Sequence, residues 1–259
     1  MGQRLQDKAI IVTGAAGGIG RACALRFAAE GASVLVNDID VDGAAATVAR
    51  IVTAGGCAIA HAANIIQAEA VQEMVEAAVS AFGRLDVMFS NVGGARPEPL
   101  ERVDLQEYRR LIALNLDSVY WGIRAALPIM LAQGSGVFLS TTSGAGLAAV
   151  PGLAIYGAAK AAIINLMRSV AVDYGPRGIR ANSISPGPIE TPPLRAWLDT
   201  TPAGAAGYAA QIPLGRLGTA EDIAAAAAFL ISDEAAYISG VVLPVDGAIH
   251  ARLASPTSE

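Results

Sequence analysis

Among its 259 residues the chain has only two cysteines, Cys23 and Cys57, and two histidines, His61 and His250. That scarcity excludes a Cys/His zinc cluster and a disulfide scaffold, so no metal centre is expected. A reducing, cytoplasmic compartment suits such cysteine usage. Charge is also scarce: 16% of residues are Asp, Glu, Lys or Arg, and 18 basic side chains against 23 acidic ones leave a net charge of -5. Lacking a basic block, the chain has no footprint for a phosphate backbone, and nucleic acid is not an expected partner. Aromatic residues make up 5%. No fixed-period repeat and no Pro/Gly/Ser linker divides the sequence, so residues 1–259 read as one domain, with a loose tail from Ala254 to Glu259.

What the chain has in quantity is small and apolar. Hydrophobic residues reach 53%, and glycine, at 28 residues, exceeds the ~7% of an average protein. That composition can bury a large core and forecasts close backbone approaches. The longest charge-free stretch, Ala125 to Ala159, exceeds a bilayer span. Pro128, Gln133, Gly134, Ser135, Gly136, the Ser140 to Ser143 hydroxyl run and Pro151 interrupt it, so it reads as buried strand and loop, with no membrane partner. The apolar run after Lys8 leads into a glycine cluster and a charged helix rather than a cleavage site, which argues against a secretory signal.

Apolar runs of strand length alternate with alanine-rich amphipathic stretches. The runs are Ala9 to Val12, Ser33 to Asn37, Cys57 to Ala60, Val87 to Ser90, Gly136 to Ser140, Arg180 to Ile184 and Gly240 to Val245. Continuous hydrophobicity marks strands covered on both faces, hence a mainly parallel seven-stranded sheet with helices on each side. Helical stretches Ala22 to Glu30, Val41 to Ala54 and Ala68 to Ala81 stop at Gly31, at Gly55 and just before Gly83, as helix ends favour. The α/β, doubly wound, Rossmann-type fold follows, with ligands expected at the carboxyl ends of the strands. Pro244 removes a ladder hydrogen bond from the last run and places it at a sheet edge.

Directly after the first run comes Thr13-Gly14-Ala15-Ala16-Gly17-Gly18-Ile19-Gly20, then a helix. Gly14, Gly18 and Gly20 suit a strand-to-helix turn whose backbone approaches a pyrophosphate at the helix amides. Any tight turn could use such glycines; what favours a dinucleotide is Asp38, closing the second strand where an acid meets the adenosine ribose hydroxyls. Its carboxylate accepts from a ribose diol and repels a 2′-phosphate, and Ile39 adds no compensating charge, so NAD is favoured over NADP. Arg21, the nearest cation, reads as a surface residue.

Tyr156 and Lys160 stand four residues apart at the start of an alanine-rich segment and share one helix face. An ammonium beside a phenol favours the phenolate, which is the acid/base an alcohol needs. Such a pair is common by chance; Ser143, thirteen residues before Tyr156 at the end of an apolar strand, supplies a third group able to bind the reacting oxygen.

On these residues the chain resembles the short-chain dehydrogenase/reductases of about 250 residues. Thr13-Gly14-x-x-x-Gly18-x-Gly20, Asn91-Val92-Gly93, Asn115, Ser143, Tyr156-x-x-x-Lys160 and Pro186-Gly187 leading to Thr191 occur in the family's order. The resemblance implies that Tyr156 is the general acid/base and that Lys160 binds the nicotinamide ribose and tunes Tyr156. It gives Ser143 the substrate oxygen and Asn115 a proton-relay water. It further implies cofactor contacts at Gly14, Gly18, Ile19, Gly20, Asp38, Asn64, Ile65, Asn91, Gly93, Tyr156, Lys160, Pro186, Gly187, Ile189 and Thr191. The implied reaction interconverts a secondary alcohol and a ketone with NAD. Alternatives are an NADPH-dependent carbonyl or 3-oxoacyl reductase, and an NAD-binding regulator without turnover.

By position in the family, residues 188–212 form a substrate lid. Leu194, Trp197, Leu198 and Tyr208 give it apolar bulk, and Leu147, Val150 and Leu153 face it, so the substrate pocket is expected to use Ser143, Leu147, Leu153, Leu194, Trp197 and Leu198 for a hydrophobic alcohol or ketone. Arg96 and Arg195 stand near the mouth and read as solvated arginines. A homotetramer is implied, built on the Tyr156 and Asn115 helices. Departures from the family pattern are Asn64 where an acid usually meets the adenine amino group, Ser90-Asn91-Val92-Gly93 for Asn-Asn-Ala-Gly, and Asp246-Gly247-Ala248 for an acid with two glycines.

Overall fold

The computed structural model describes residues 3–251; the tail from Ala254 lies outside them. Seven strands, β1 (Ala9–Thr13), β2 (Ser33–Asp38), β3 (Cys57–Ala62), β4 (Val87–Ser90), β5 (Gly136–Thr141), β6 (Ile179–Pro186) and β7 (Val242–Val245), form one sheet in the order β3-β2-β1-β4-β5-β6-β7. Every pairing is parallel, so the expected mainly parallel sheet is wholly so. The central strands are covered on both faces, as their unbroken apolar runs require: β1 and β4 are buried throughout. β3 is an edge strand, and all six of its residues are half-buried or exposed. At the other edge β7 carries Pro244 opposite Ser185, where a missing N–H costs the ladder least.

Nine helices fill the crossovers among the described residues: α1 (Gly18–Ala29), α2 (Val41–Thr53), α3 (Ala68–Phe82), α4 (Leu105–Ile112), α5 (Ser118–Gln133), α6 (Ala154–Tyr174), α7 (Pro192–Leu198), α8 (Gly204–Ala209) and α9 (Ala220–Ile231). Two cores result. One buries Phe27, Val34 and Leu230 on the face that α1 and α9 cover; the other buries Met74, Ile123 and Met167 on the face of α3, α5 and α6. The strand order reverses at β1, whose neighbours are β2 and β4. Crossovers on the two sides then run to opposite faces and leave a crevice at the carboxyl ends.

The charge-free stretch needs correction. Its first part is not strand or loop but the second half of α5, which continues through Pro128. Pro128 and Arg124 are both exposed, so the carbonyl of Arg124 that proline leaves unbonded can reach water. α6 and the turn after it, Ala154–Arg177, are long and apolar enough to cross a membrane by length and composition. Ile163, Met167 and Val170 of α6 are nevertheless buried in the second core, as in the packing helix of an α/β layer.

Candidate active site

The crevice is built from the ends of six strands. Below it, the loop between β1 and α1 turns at Gly14, whose φ of 67° a side chain would strain, and a Cβ on Gly20 would lie 2.1 Å from the carbonyl oxygen of Gly14. α1 therefore starts hard against the loop. Its N-cap, Gly17, offers no side chain, the first turn holds no acid, and a Cβ on Gly17 would meet nothing within 4 Å. By contrast α2, α4 and α9 are capped by Asp40, Asp104 and Thr219. Open first-turn amides over clear space suit a diphosphate. Thr191, the N-cap of α7, approaches Gly18 from the far side of the crevice.

Asp38 ends β2 where the sequence puts it. One carboxylate oxygen accepts from the Ala16 amide at 2.9 Å and the other from the Asp40 amide at 3.1 Å, so the acid is fixed beside the glycine loop. Arg21 is half-buried, bonds the Ala16 carbonyl and donates to the Thr47 hydroxyl at 3.2 Å, which clamps the loop from beneath. Asn64 is exposed beyond the end of β3, accepting from the Ile66 amide at 3.4 Å. Ile65 and Ile189 are buried, leaving their backbones as the groups free to face a cofactor.

Asn91 and Gly93 follow β4 and form a wall of the crevice. The Asn91 amide donates to the Thr13 carbonyl at 3.2 Å and accepts from the Thr141 hydroxyl at 3.0 Å, knitting β1, β4 and β5. Asn115 lies in a π-helical turn, Ala113–Asp117, between α4 and α5, a form frequent at functional sites. Its side chain is fully buried. It accepts from the Gly94 amide at 2.8 Å and donates to the carbonyls of Gly94 and Leu111, each at 3.0 Å. A Cβ on Gly93 would sit 2.6 Å from the Lys160 amine and 2.7 Å from the Asn115 oxygen, so Lys160, Asn115 and the wall converge there.

Ser143 follows β5 as N-cap of a short 3-10 turn, its hydroxyl accepting from the Ala145 amide at 3.2 Å. That turn packs against α6 through two glycines unnoticed in the sequence. A Cβ on Gly146 would come within 2.8 Å of the Lys160 carbonyl carbon, and one on Gly157 within 2.7 Å of the Ala145 oxygen. The contact places Ser143 beside Tyr156. Burial raises the Tyr156 phenol above its ordinary value, and its interaction with the Ser143 hydroxyl opposes that rise. Lys160 is buried, its amine 5.5 Å from the centre of the Tyr156 ring and 3.0 Å from the Thr141 carbonyl, to which it donates. Burial pushes its pKa down to about 8.

Burial therefore holds the Tyr156 phenol above its ordinary value, where the sequence led us to expect it below. The amine lies by the ring and donates to Thr141, and desolvation is the largest influence on both groups.

Substrate-side residues are held more loosely. Leu147, Val150 and Trp197 are exposed, and Trp197 meets the Tyr208 ring edge-on at 6.1 Å. Leu194 is half-buried and Leu198 buried, so Leu198 anchors α7 instead of presenting a free surface. Leu153 lines a cavity that reaches Tyr156. Arg195 pairs with Glu190, and His250, given no role from sequence, pairs with Asp246. Ala248, where the family pattern has glycine, takes a φ of 69°, and its amide donates to Asp246 at 2.9 Å.

The fold and this constellation define a nucleotide-binding oxidoreductase of Rossmann type. The sequence model of a family described as "Enoyl-(Acyl carrier protein) reductase" matches residues 14–250. Cyclohexanol dehydrogenase of Acinetobacter sp. (strain SE19) is 37% identical over 253 residues, 97% of this chain and 98% of that protein. 3beta-hydroxysteroid dehydrogenase 1 of Eggerthella lenta is 39% identical over 245 residues, 94% of each. The solved structure of 7 alpha-hydroxysteroid dehydrogenase complexed with NADH and 7-oxo glycochenodeoxycholic acid superposes with a TM-score of 0.90 at 37% identity, over 95% of both chains. The chain belongs to the short-chain dehydrogenase/reductase family and is an oxidoreductase acting on alcohols or ketones.

Proposed function

We propose that the protein interconverts a secondary alcohol and a ketone of a hydrophobic small molecule with NAD(H). The observation that carries this is the meeting of Tyr156, Ser143 and buried Lys160 at the carboxyl end of β5, beside the crevice where strand order reverses. Bound there, the nicotinamide supplies hydride chemistry, exchanging two electrons and a proton with the carbinol carbon. In ketone reduction Tyr156 gives its phenolic proton to the carbonyl oxygen, and in oxidation the phenolate takes the hydroxyl proton back. Ser143 orients that oxygen. Lys160 holds the ribose and places a cation near the phenol, and Asn115 fixes the wall and supports a relay water. A phenol raised by burial is protonated at neutral pH, which favours the acid role; the base role strengthens as pH rises.

NAD rather than NADP is supported by Asp38, fixed at the ribose end, and by Arg21, whose guanidinium is engaged with Ala16 and Thr47. The relatives named for cyclohexanol and hydroxysteroids support a cyclic, hydrophobic substrate. Substrate contacts are assigned to Ser143, Leu147, Leu153, Leu194 and Trp197, with Leu198 behind them. A homotetramer would cover the outer faces of α5 and α6, where Tyr120 and Val172 are exposed. Two free cysteines, one buried and one exposed, suit a cytoplasmic location. The test is a panel of cyclic, aliphatic, aromatic and steroid-sized alcohols with NAD and NADP, read by absorbance of the reduced nicotinamide. Turnover of hydrophobic secondary alcohols with NAD supports the reading; tight cofactor binding without turnover, or a strong NADP preference, contradicts it.

A further inference from the structure

The 3-10 turn Gly144–Gly146, which Ser143 caps, packs two of its faces and leaves the third clear. Three residues complete such a turn, so the side chains of Gly144, Ala145 and Gly146 would point about 120° apart. α6 takes two of those directions. A Cβ on Gly146 would lie 2.8 Å from the Lys160 carbonyl carbon, and the Cβ of Ala145 is 4.0 Å from where one on Gly157 would stand. A Cβ on Gly144 would meet nothing within 4 Å beyond its chain neighbours. Gly144 is nevertheless half-buried, so the clear space is a hollow and not open outer surface. The backbone does not ask for glycine there either, because Gly144 is not among the residues with positive φ, and an ordinary side chain would cost no strain. The frame around the hollow is firm. The Thr142 amide and hydroxyl both donate to the Ile184 carbonyl, at 2.7 and 2.9 Å, and the Gly144 carbonyl accepts from the Leu147 and Ala148 amides at 3.0 and 2.9 Å.

Resting on the oxidoreductase reading above, we propose that Gly144 is a specificity-determining residue, whose missing side chain makes room for branching at the carbon next to the carbinol. With the carbinol oxygen held by Ser143, that carbon is only two bonds away and its substituents fall over the adjacent residue. The substrate class is then a hindered secondary alcohol or its ketone, with the reacting carbon beside a tertiary or quaternary carbon. A pocket smaller by one methyl or methylene group discriminates by about 10- to 200-fold, so a single side chain at 144 is enough to reverse the preference.

The experiment compares kcat/KM with NAD, on the whole protein, for matched pairs of open and hindered alcohols: sec-butanol against pinacolyl alcohol, and cyclopentanol against its analogue with two methyl groups on the adjacent carbon. The wild type is expected to use the hindered member of each pair within about threefold of the open one or better, and Gly144→Val to lower the hindered-to-open ratio by about tenfold or more. Gly144→Ala and Gly144→Ser should lower it less, and they decide the matter if thermal melting shows that the valine variant does not fold. The Kd for NAD, read by fluorescence titration, should stay within about twofold in all three. Gly146→Ala supplies the contrast: its collision with Lys160 should lower the melting temperature and slow both alcohols alike. An unchanged ratio in the Gly144 variants, an equal loss on both members of a pair, or a wild type that rejects the hindered alcohols would overturn the role of Gly144 and leave the oxidoreductase reading intact. Absence of turnover on every alcohol would overturn both.

Discussion

The glycine-loop side of the crevice and the α7–α8 segment across from it are held by different means. On the cofactor side, Gly14, Gly20 and Gly93 sit where a single added carbon would collide, and Asp38, Arg21 and Asn91 each make at least two bonds that fix the loop or wall. Across the crevice, α7 and α8 are short, Trp197 is exposed, and burial of Leu198 and Ile212 ties the segment down. Backbone shape binds one invariant ligand; side chains on a lightly anchored segment choose among many. Changes on the first side should therefore damage every reaction, and changes on the second should alter only the choice of substrate.

The severest break short of the phenol itself is Lys160→Met. It removes the cation from the shared site and is expected to lower kcat by roughly 10²-fold or more and to weaken NAD about tenfold for every alcohol, measured by steady-state rates and fluorescence titration. Next is Asp38→Ala. Losing a charged acceptor worth about 1.5–3 kcal/mol should raise the Kd for NAD some 10- to 100-fold and relax discrimination against NADP. Trp197→Ala should change KM by about 3- to 10-fold for bulky alcohols only, with NAD affinity unchanged by calorimetry. A uniform effect on all substrates from Trp197, or a substrate-selective one from Asp38, would erase the contrast between the two sides.

A smaller signature lies in stability. Since the Lys160 pKa in the folded protein is about 8 against an ordinary 10.5, the unfolded chain binds the extra proton between those values. Unfolding is therefore opposed more strongly as pH rises from about 8 towards 10.5, and below 8 the charged amine is a cost in both acid and neutral solution. Without cofactor, denaturant midpoints at pH 7.5 and 9.5 should show wild type gaining about 2 kcal/mol relative to Lys160→Met. An unchanged difference would mean that the amine is solvated.

The same contrast governs how much could be read from the sequence. β1, β4 and β5 were plain because buried parallel strands must be apolar on both faces, and the glycine loop and Asp38 because their roles restrict residue type. The Arg21 bond to the Ala16 carbonyl, the Lys160 bond to the Thr141 carbonyl and the π-helical turn at Asn115 are hidden, since their partners are backbone atoms that any residue provides. Gly146 and Gly157 stood in the sequence as two more glycines among 28 until packing showed what they admit. α5 escapes the sequence pattern because Pro128 and Arg124 are exposed, where the carbonyl left without an N–H partner can reach water. The α7–α8 segment is legible only as a proline-rich span, for lightly anchored apolar residues carry no period.

That Tyr156 moves the proton is tested most directly by separating binding from turnover in Tyr156→Phe. Kd for NAD should stay within about twofold of wild type, while single-turnover oxidation of a good alcohol substrate falls by roughly 10³-fold. Oxidation at a wild-type rate in that variant, with cofactor bound as tightly, would contradict the account.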